Sequence, residues 1–182
     1  MRLIVPIVLT AFFVMIALGL LAMAGYWSQF ERAGEQPIPF PHDFHAGSGP
    51  VVLPSGKEAN GLGLACTKCH VYVDKSKRAT VPAMKICMDC HQNIQSESPY
   101  LADLKEYWKN KKPIPWARIH KLPQFVYFSH ERHIKAEVDC AVCHGDMTVV
   151  KKAKQVRTLQ MGFCVSCHRA NNAPEDCWTC HQ

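Results

Sequence analysis

Hydrophobic positions fall into two regimes along this 182-residue chain. From Leu3 to Gly25 the sequence reads LIVPIVLTAFFVMIALGLLAMAG, with no charge. At about 1.5 Å per residue such a helix spans about 34 Å, enough to cross the hydrocarbon core of a bilayer. Tyr26 and Trp27 follow, where an interfacial aromatic belt belongs. Pro6 sits near the start of the predicted helix, where a missing N–H costs least. Arg2 on the short side predicts a cytoplasmic N-terminus with the rest of the chain outside. Ala22-Met23-Ala24 resembles a signal-peptide cleavage site, but the apolar run is longer than a signal-peptide core. An uncleaved anchor over residues 1–27 is therefore expected, with one domain over 28–182.

Beyond the anchor the pattern is broken and polar, and helix signals are short. Ser98-Pro99 predicts an N-cap and first helical position. Leu101, Leu104 and Trp108 then make an apolar stripe, and Pro113 closes the segment. Short helices are predicted over 82–93, with Pro82 leading, and over 159–169. The segment 147–158 reads as a hairpin or a loop. A duplication carries more information. Phe40-Pro-His42-Asp-Phe-His45 precedes Cys66–His70 and then Met84-Lys-Ile-Cys87. Phe128-Ser-His130-Glu-Arg-His133 precedes Cys140–His144 and then Met161-Gly-Phe-Cys164. The half-repeats run over about 40–91 and 128–168.

Cysteine spacing changes the picture from architecture to chemistry. The ten cysteines form five C-x-x-C-H motifs: Cys66–Cys69–His70, Cys87–Cys90–His91, Cys140–Cys143–His144, Cys164–Cys167–His168 and Cys177–Cys180–His181. Zinc ligation and disulfide frameworks have no use for a histidine directly after every second cysteine. Five such coincidences would arise by chance roughly once in two million, so the motif reads as attachment of c-type haem. Two cysteines three apart can form thioethers to the two porphyrin vinyl groups, and the histidine then reaches the iron. Five covalent haems leave about 31 residues of ectodomain each, too few for ordinary layered secondary structure. The expected fold is mainly α and irregular, a multihaem cytochrome c with class III-like haem packing and one N-terminal transmembrane helix. Haem attachment places the domain on the oxidising, periplasmic side of a bacterial inner membrane.

Ten histidines are present, and five are spent in the motifs. His42, His45, His120, His130 and His133 remain as sixth ligands for five irons. Methionine is the competing ligand type, with Met147 or Met161 as candidates; Met84 also lies close to a motif. If every iron is six-coordinate, no position is open for substrate. The chain then carries electrons without a catalytic site of its own.

Charge alters the partner question. The formal charge of +6 would suggest an acidic partner or nucleic acid. Each haem, with two propionates, adds about −1 oxidised or −2 reduced, bringing the total to about +1 or −4. Nucleic-acid binding loses its support. The clusters Lys75-Ser-Lys77-Arg78, Lys109-Asn-Lys111-Lys112 and Lys151-Lys152-Ala-Lys154 are expected to be solvated loops, or else to neutralise propionates or dock an acidic partner.

The stretch WARIHKLPQFVYFSHERHIKAEVDCAVCH from Trp116 to His144, continuing into LQMGFCVSCHR, resembles the pentahaem cytochrome c subunit of alternative complex III. The anchor and motif count agree with that family, and the resemblance covers nearly the whole chain. It implies an electron-relay component of a quinol-oxidising assembly in a respiratory or photosynthetic chain. The implied partners are an iron–sulfur subunit, polytopic quinone-binding membrane subunits and a monohaem cytochrome subunit. Electrons would leave to a soluble acceptor or an oxidase. The alternative is a membrane-anchored multihaem quinol dehydrogenase feeding a periplasmic reductase. The F-x-H-x-x-H element also resembles one in small class III cytochromes. That resemblance implies pairing of His42 with His70, His45 with His91, His130 with His144 and His133 with His168, leaving His120 for His181.

Overall fold

The computed structural model describes residues 4–28, 35–53, 55–96 and 98–181. Arg2 and Leu3, which carry the orientation and the start of the apolar run, lie outside the described residues. The chain divides into two compact units, Met1–Arg32 and Ala33–Gln182.

The first unit holds helix α1, Ile4–Ser28, long and apolar enough to cross a membrane. None of its residues is buried within the protein. Pro6 occupies the first turn, where backbone N–H groups have no intrahelical acceptor. The Thr10 hydroxyl donates to the Pro6 carbonyl at 2.8 Å, and Ser28 does the same to Gly25 at 2.9 Å. Both polar side chains are thereby satisfied inside the helix, as an apolar surrounding requires.

The second unit is built of short elements. In order these are α2 (His42–Ala46), the hairpin strands β1 (Pro50–Val52) and β2 (Glu58–Asn60), α3 (Cys66–Cys69), α4 (Met84–His91) and α5 (Pro99–Lys109). Then come α6 (His130–Lys135), α7 (Cys140–His144), a 3-10 turn at Met147–Val149, α8 (Met161–Ala170) and α9 (Cys177–Cys180). Among the described residues only Ile38, Val73, Met88, Leu101 and Ile114 form a buried apolar core, and none is completely enclosed. Five such side chains cannot organise a domain of this length; hydrophobic stabilisation scales with the apolar area removed from water.

Local signals account for most boundaries. Pro99 opens α5 and Ser98 precedes it in extended conformation, but the Ser98 side chain makes no capping bond. Its carbonyl instead accepts from the N–H groups of Leu101 and Ala102. The helix stops at Lys109, four residues before Pro113, because Lys111 turns left-handed at φ 53°. Helix α4 starts at Met84 and not at Pro82, with Ala83 extended before it. Leu159, at φ 50°, holds the chain out of helix until Met161. The segment 147–158 is a 3-10 turn followed by loop, not a hairpin. The actual hairpin pairs Pro50–Val52 antiparallel with Glu58–Asn60.

Helix α2 is fixed by close backbone approach. Its Asp43 N–H donates to the Val150 carbonyl at 3.0 Å, and the Gly47 N–H donates to Asp43 at 3.0 Å. A Cβ on Gly47 would overlap the carbonyl oxygens of Asp43 and Thr148. One on Gly61 would overlap the Gly47 carbonyl. Gly47→Ala is expected to destabilise the folded protein by about 2 kcal/mol, within the range of backbone-overlap substitutions. Thermal or denaturant unfolding of the mature protein measures it, with Gly49→Ala, where nothing lies within 4 Å, as the near-neutral control.

Candidate haem-binding sites

All five C-x-x-C pairs lie on helical turns, so their two thiols, three residues apart, share one face. In α3, α7 and α9 the helix begins at the first cysteine. In α4 and α8 it begins one turn earlier, at the repeated methionine. Asp139 accepts the Ala141 N–H at 2.7 Å and so caps α7 directly. Each of the ten cysteines is at least partly open to solvent. Such exposure leaves each sulfur reachable for a thioether.

The thiols form a continuous run. Burial raises the pKa of Cys69 and Cys87, and each lies in the field of the other motif's thiols, Cys90 for the first and Cys69 for the second. Cys140 is likewise raised by burial and lies in the field of the Cys66 thiol. Burial also raises Cys143, beside Cys167, and Cys164, beside Cys180 and Cys143. The motifs therefore neighbour one another in the order 87–91, 66–70, 140–144, 164–168, 177–181, which differs from chain order at its start.

Histidine geometry repeats with the sequence. On α2 the Phe40 ring stands 4.8 Å from His42 at 78° and stacks on His45 at 4.4 Å and 16°. On α6 Phe128 stands 4.9 Å from His130 at 89° and stacks on His133 at 4.5 Å and 30°. His45 Nδ1–H donates to the Pro41 carbonyl at 2.9 Å, and His133 Nδ1–H to Ser129 at 2.8 Å. Such a bond fixes the ring and leaves Nε2 with its lone pair outward. Of the proximal histidines, His70 Nδ1–H donates to Thr80 at 2.7 Å and His168 to Pro174 at 2.6 Å. Thr80 presents that carbonyl from a left-handed conformation, φ 60°, which a β-branched residue seldom adopts. The His42 and His91 Nδ1 atoms are buried with no hydrogen-bond partner among the described residues.

The rings face each other in pairs. His45 and His91 are 6.2 Å apart between centroids, His133 and His168 6.0 Å, and His130 and His144 6.3 Å with planes at 10°. Two imidazoles bonded to opposite sides of one metal, each about 2 Å from it, have centroids about 6 Å apart. The residues present fit the group. His42 lies in the field of His70. His120 sits beside His144, at 4.4 Å and 80°. Phe125 is the ring stacked near His181, at 5.8 Å and 26°. Met161 is 68% exposed on the first turn of α8, and Met147 is half-buried in the 3-10 turn.

Burial favours the neutral form of five of these imidazoles, the form that offers a lone pair to iron. Burial, then the neighbouring His70 and His45, lowers His42 to about 4. Burial, then His120, His130 and His70, lowers His144 to about 4. His91, His120 and His130 are shifted the same way, with burial first in each.

In the basic cluster 75–78 the side chains of Lys75, Lys77 and Arg78 are exposed, as expected of a solvated loop. In the structure its backbone is a structural tie. The Lys77 carbonyl accepts both the backbone N–H and Nδ1–H of His130 at 3.1 Å, and Ser76 accepts from Glu131 at 3.1 Å. The Lys77 ammonium lies 4.1 Å above the Tyr127 ring. The loop after one motif thus holds the histidine that faces the next.

Residues 126–182 match the family of cytochrome c7 and related cytochrome c. The menaquinone reductase multihaem cytochrome c subunit of Nitratidesulfovibrio vulgaris is 26% identical over 188 residues, covering 87% of this chain and 83% of that protein. A cytochrome c3 of Desulfuromonas acetoxidans is 34% identical over 56 residues, 31% of this chain and 79% of that protein. The attachment motifs, the fold of short helices and little regular structure, and these similarities together give the chain the fold of a multihaem cytochrome c.

Proposed function

We propose that this chain binds five c-type haems and relays electrons through them as one component of a quinone-linked membrane complex similar to alternative complex III. The observation that carries the reading is the unbroken neighbour order of the five motifs, with imidazole pairs about 6 Å apart beside it. Bound haem supplies a one-electron iron couple. The chain's part is to fix the rings close together. Cys66 through Cys180 tether each porphyrin edge, and His70, His91, His144, His168 and His181 hold the irons from one side. His42, His45, His130 and His133 hold four of them from the other.

Helix α1 anchors the chain in the bacterial inner membrane, with the haem domain on the periplasmic side. The partners in this reading are an iron–sulfur subunit, polytopic quinone-binding subunits and a monohaem cytochrome subunit, with a soluble acceptor or oxidase beyond. The similarity to the menaquinone reductase cytochrome supports a quinone-linked complex and favours a second reading, in which electrons leave the haems for quinone. The two readings differ in direction, not in the wire.

Three outcomes are expected. The mature chain weighs its polypeptide mass plus five haems. His45→Ala and His133→Ala each turn one low-spin haem high-spin and leave the others unchanged, read by electron paramagnetic resonance. In rapid mixing, quinol reduces the haems only while the native complex is attached. Equal rates with the isolated chain would mean that it carries its own quinol site, as a self-contained quinol dehydrogenase does. Faster oxidation of the reduced complex by quinone than reduction by quinol would favour the reverse direction.

A further inference from the structure

The resemblance to small class III cytochromes leaves His120 for His181. Side-chain positions argue against that assignment. A neutral imidazole has one acceptor nitrogen. In His45, His130 and His133 the Nδ1–H donates to a backbone carbonyl, so the acceptor is Nε2 and it stays uncommitted. His120 differs: its Nε2 lies 3.3 Å from Nδ1 of His144. His144 offers Nδ1–H there, because its Nε2 is the atom that a C-x-x-C-H motif turns to iron. His120 therefore spends its one lone pair on a ring nitrogen of this chain.

Three further observations agree. The place opposite His144 is already taken by His130, 6.3 Å away with planes nearly parallel. His70 and His168 each donate Nδ1–H to a carbonyl, and His120 fills the same role for His144. His120 also lies outside both F-x-H-x-x-H elements and has no phenylalanine two or five residues before it. All ten histidines are among the described residues. His181 is flanked by Phe125, at 5.8 Å, and its backbone bridges to Val126.

We propose that His120 is a positioning residue for the proximal imidazole of His144 and not an iron ligand, so that the iron bound by His181 is the one without a second histidine. This rests on haem attachment at all five motifs. An acceptor on a ligating histidine raises its basicity and favours ferric iron, which lowers the reduction potential.

The test starts with the haem-bearing full chain, separated from any cytochrome partner, and needs no variant. Electron paramagnetic resonance and near-infrared magnetic circular dichroism are expected to show four bis-histidine haems and a fifth that is high-spin or thioether-ligated. His120→Ala should leave the bis-histidine count at four and shift one low-spin haem to higher potential in a redox titration. His120→Gln, which restores an acceptor, should return that potential toward the native value. Five bis-histidine haems in the native protein, with one lost in His120→Ala, would overturn the assignment. Fewer than five haems by mass would instead contradict the reading beneath it.

Discussion

Everything in the second unit depends on the paired tether of a helical turn: two thiols three residues apart, then an imidazole. Five buried apolar side chains are too few to hold some 150 residues in place, since each ordered residue costs about 1–2 kcal/mol of backbone entropy. The helices scarcely pack on one another; among the described elements, extended contact is confined to α2 with the 3-10 turn and to the hairpin. In the proposed reading, haem bound at these turns would supply the apolar mass and the cross-links together, as metals and disulfides do in other small scaffolds.

The duplication shows how such an arrangement is extended. Each half places a phenylalanine against two histidines, one edge-on and one stacked, and turns the second toward the later motif of its own half. The halves are joined where their first motifs meet, through Cys66 with Cys140 and through the Lys77 carbonyl with His130. The last motif is attached on the other side: the Tyr127 N–H donates to Cys180 at 2.7 Å, and Cys164 neighbours Cys180. A run of sites results in which every motif has a neighbour.

Much of this was legible in the sequence because it is local or repeated. The cysteine motifs lie on helical turns, the stripe of Leu101 and Leu104 lies on α5, and the apolar N-terminal segment is one helix. What was not legible depends on contacts between distant residues. The meeting of Cys66 with Cys140 leaves no trace in spacing, so the order of the motifs could not be read. The β1–β2 hairpin was missed although Gly56, at φ 81°, marks its turn and Val51-Val52 its strand. The basic loop at 75–78 shows its charge in the sequence but not the Ser76 and Lys77 carbonyls that accept from Glu131 and His130.

The central claim, that bound haem is the core of this domain, is tested most directly by thermal unfolding of residues 28–182 made with and without haem attachment. Near-ultraviolet and far-ultraviolet circular dichroism would follow the two forms side by side. The account predicts a cooperative transition for the haem-bearing domain and none for the haem-free chain, which should also lack fixed aromatic signals. A haem-free chain that melts cooperatively from a native-like spectrum would contradict it, and would mean that the polypeptide preforms the sites on its own.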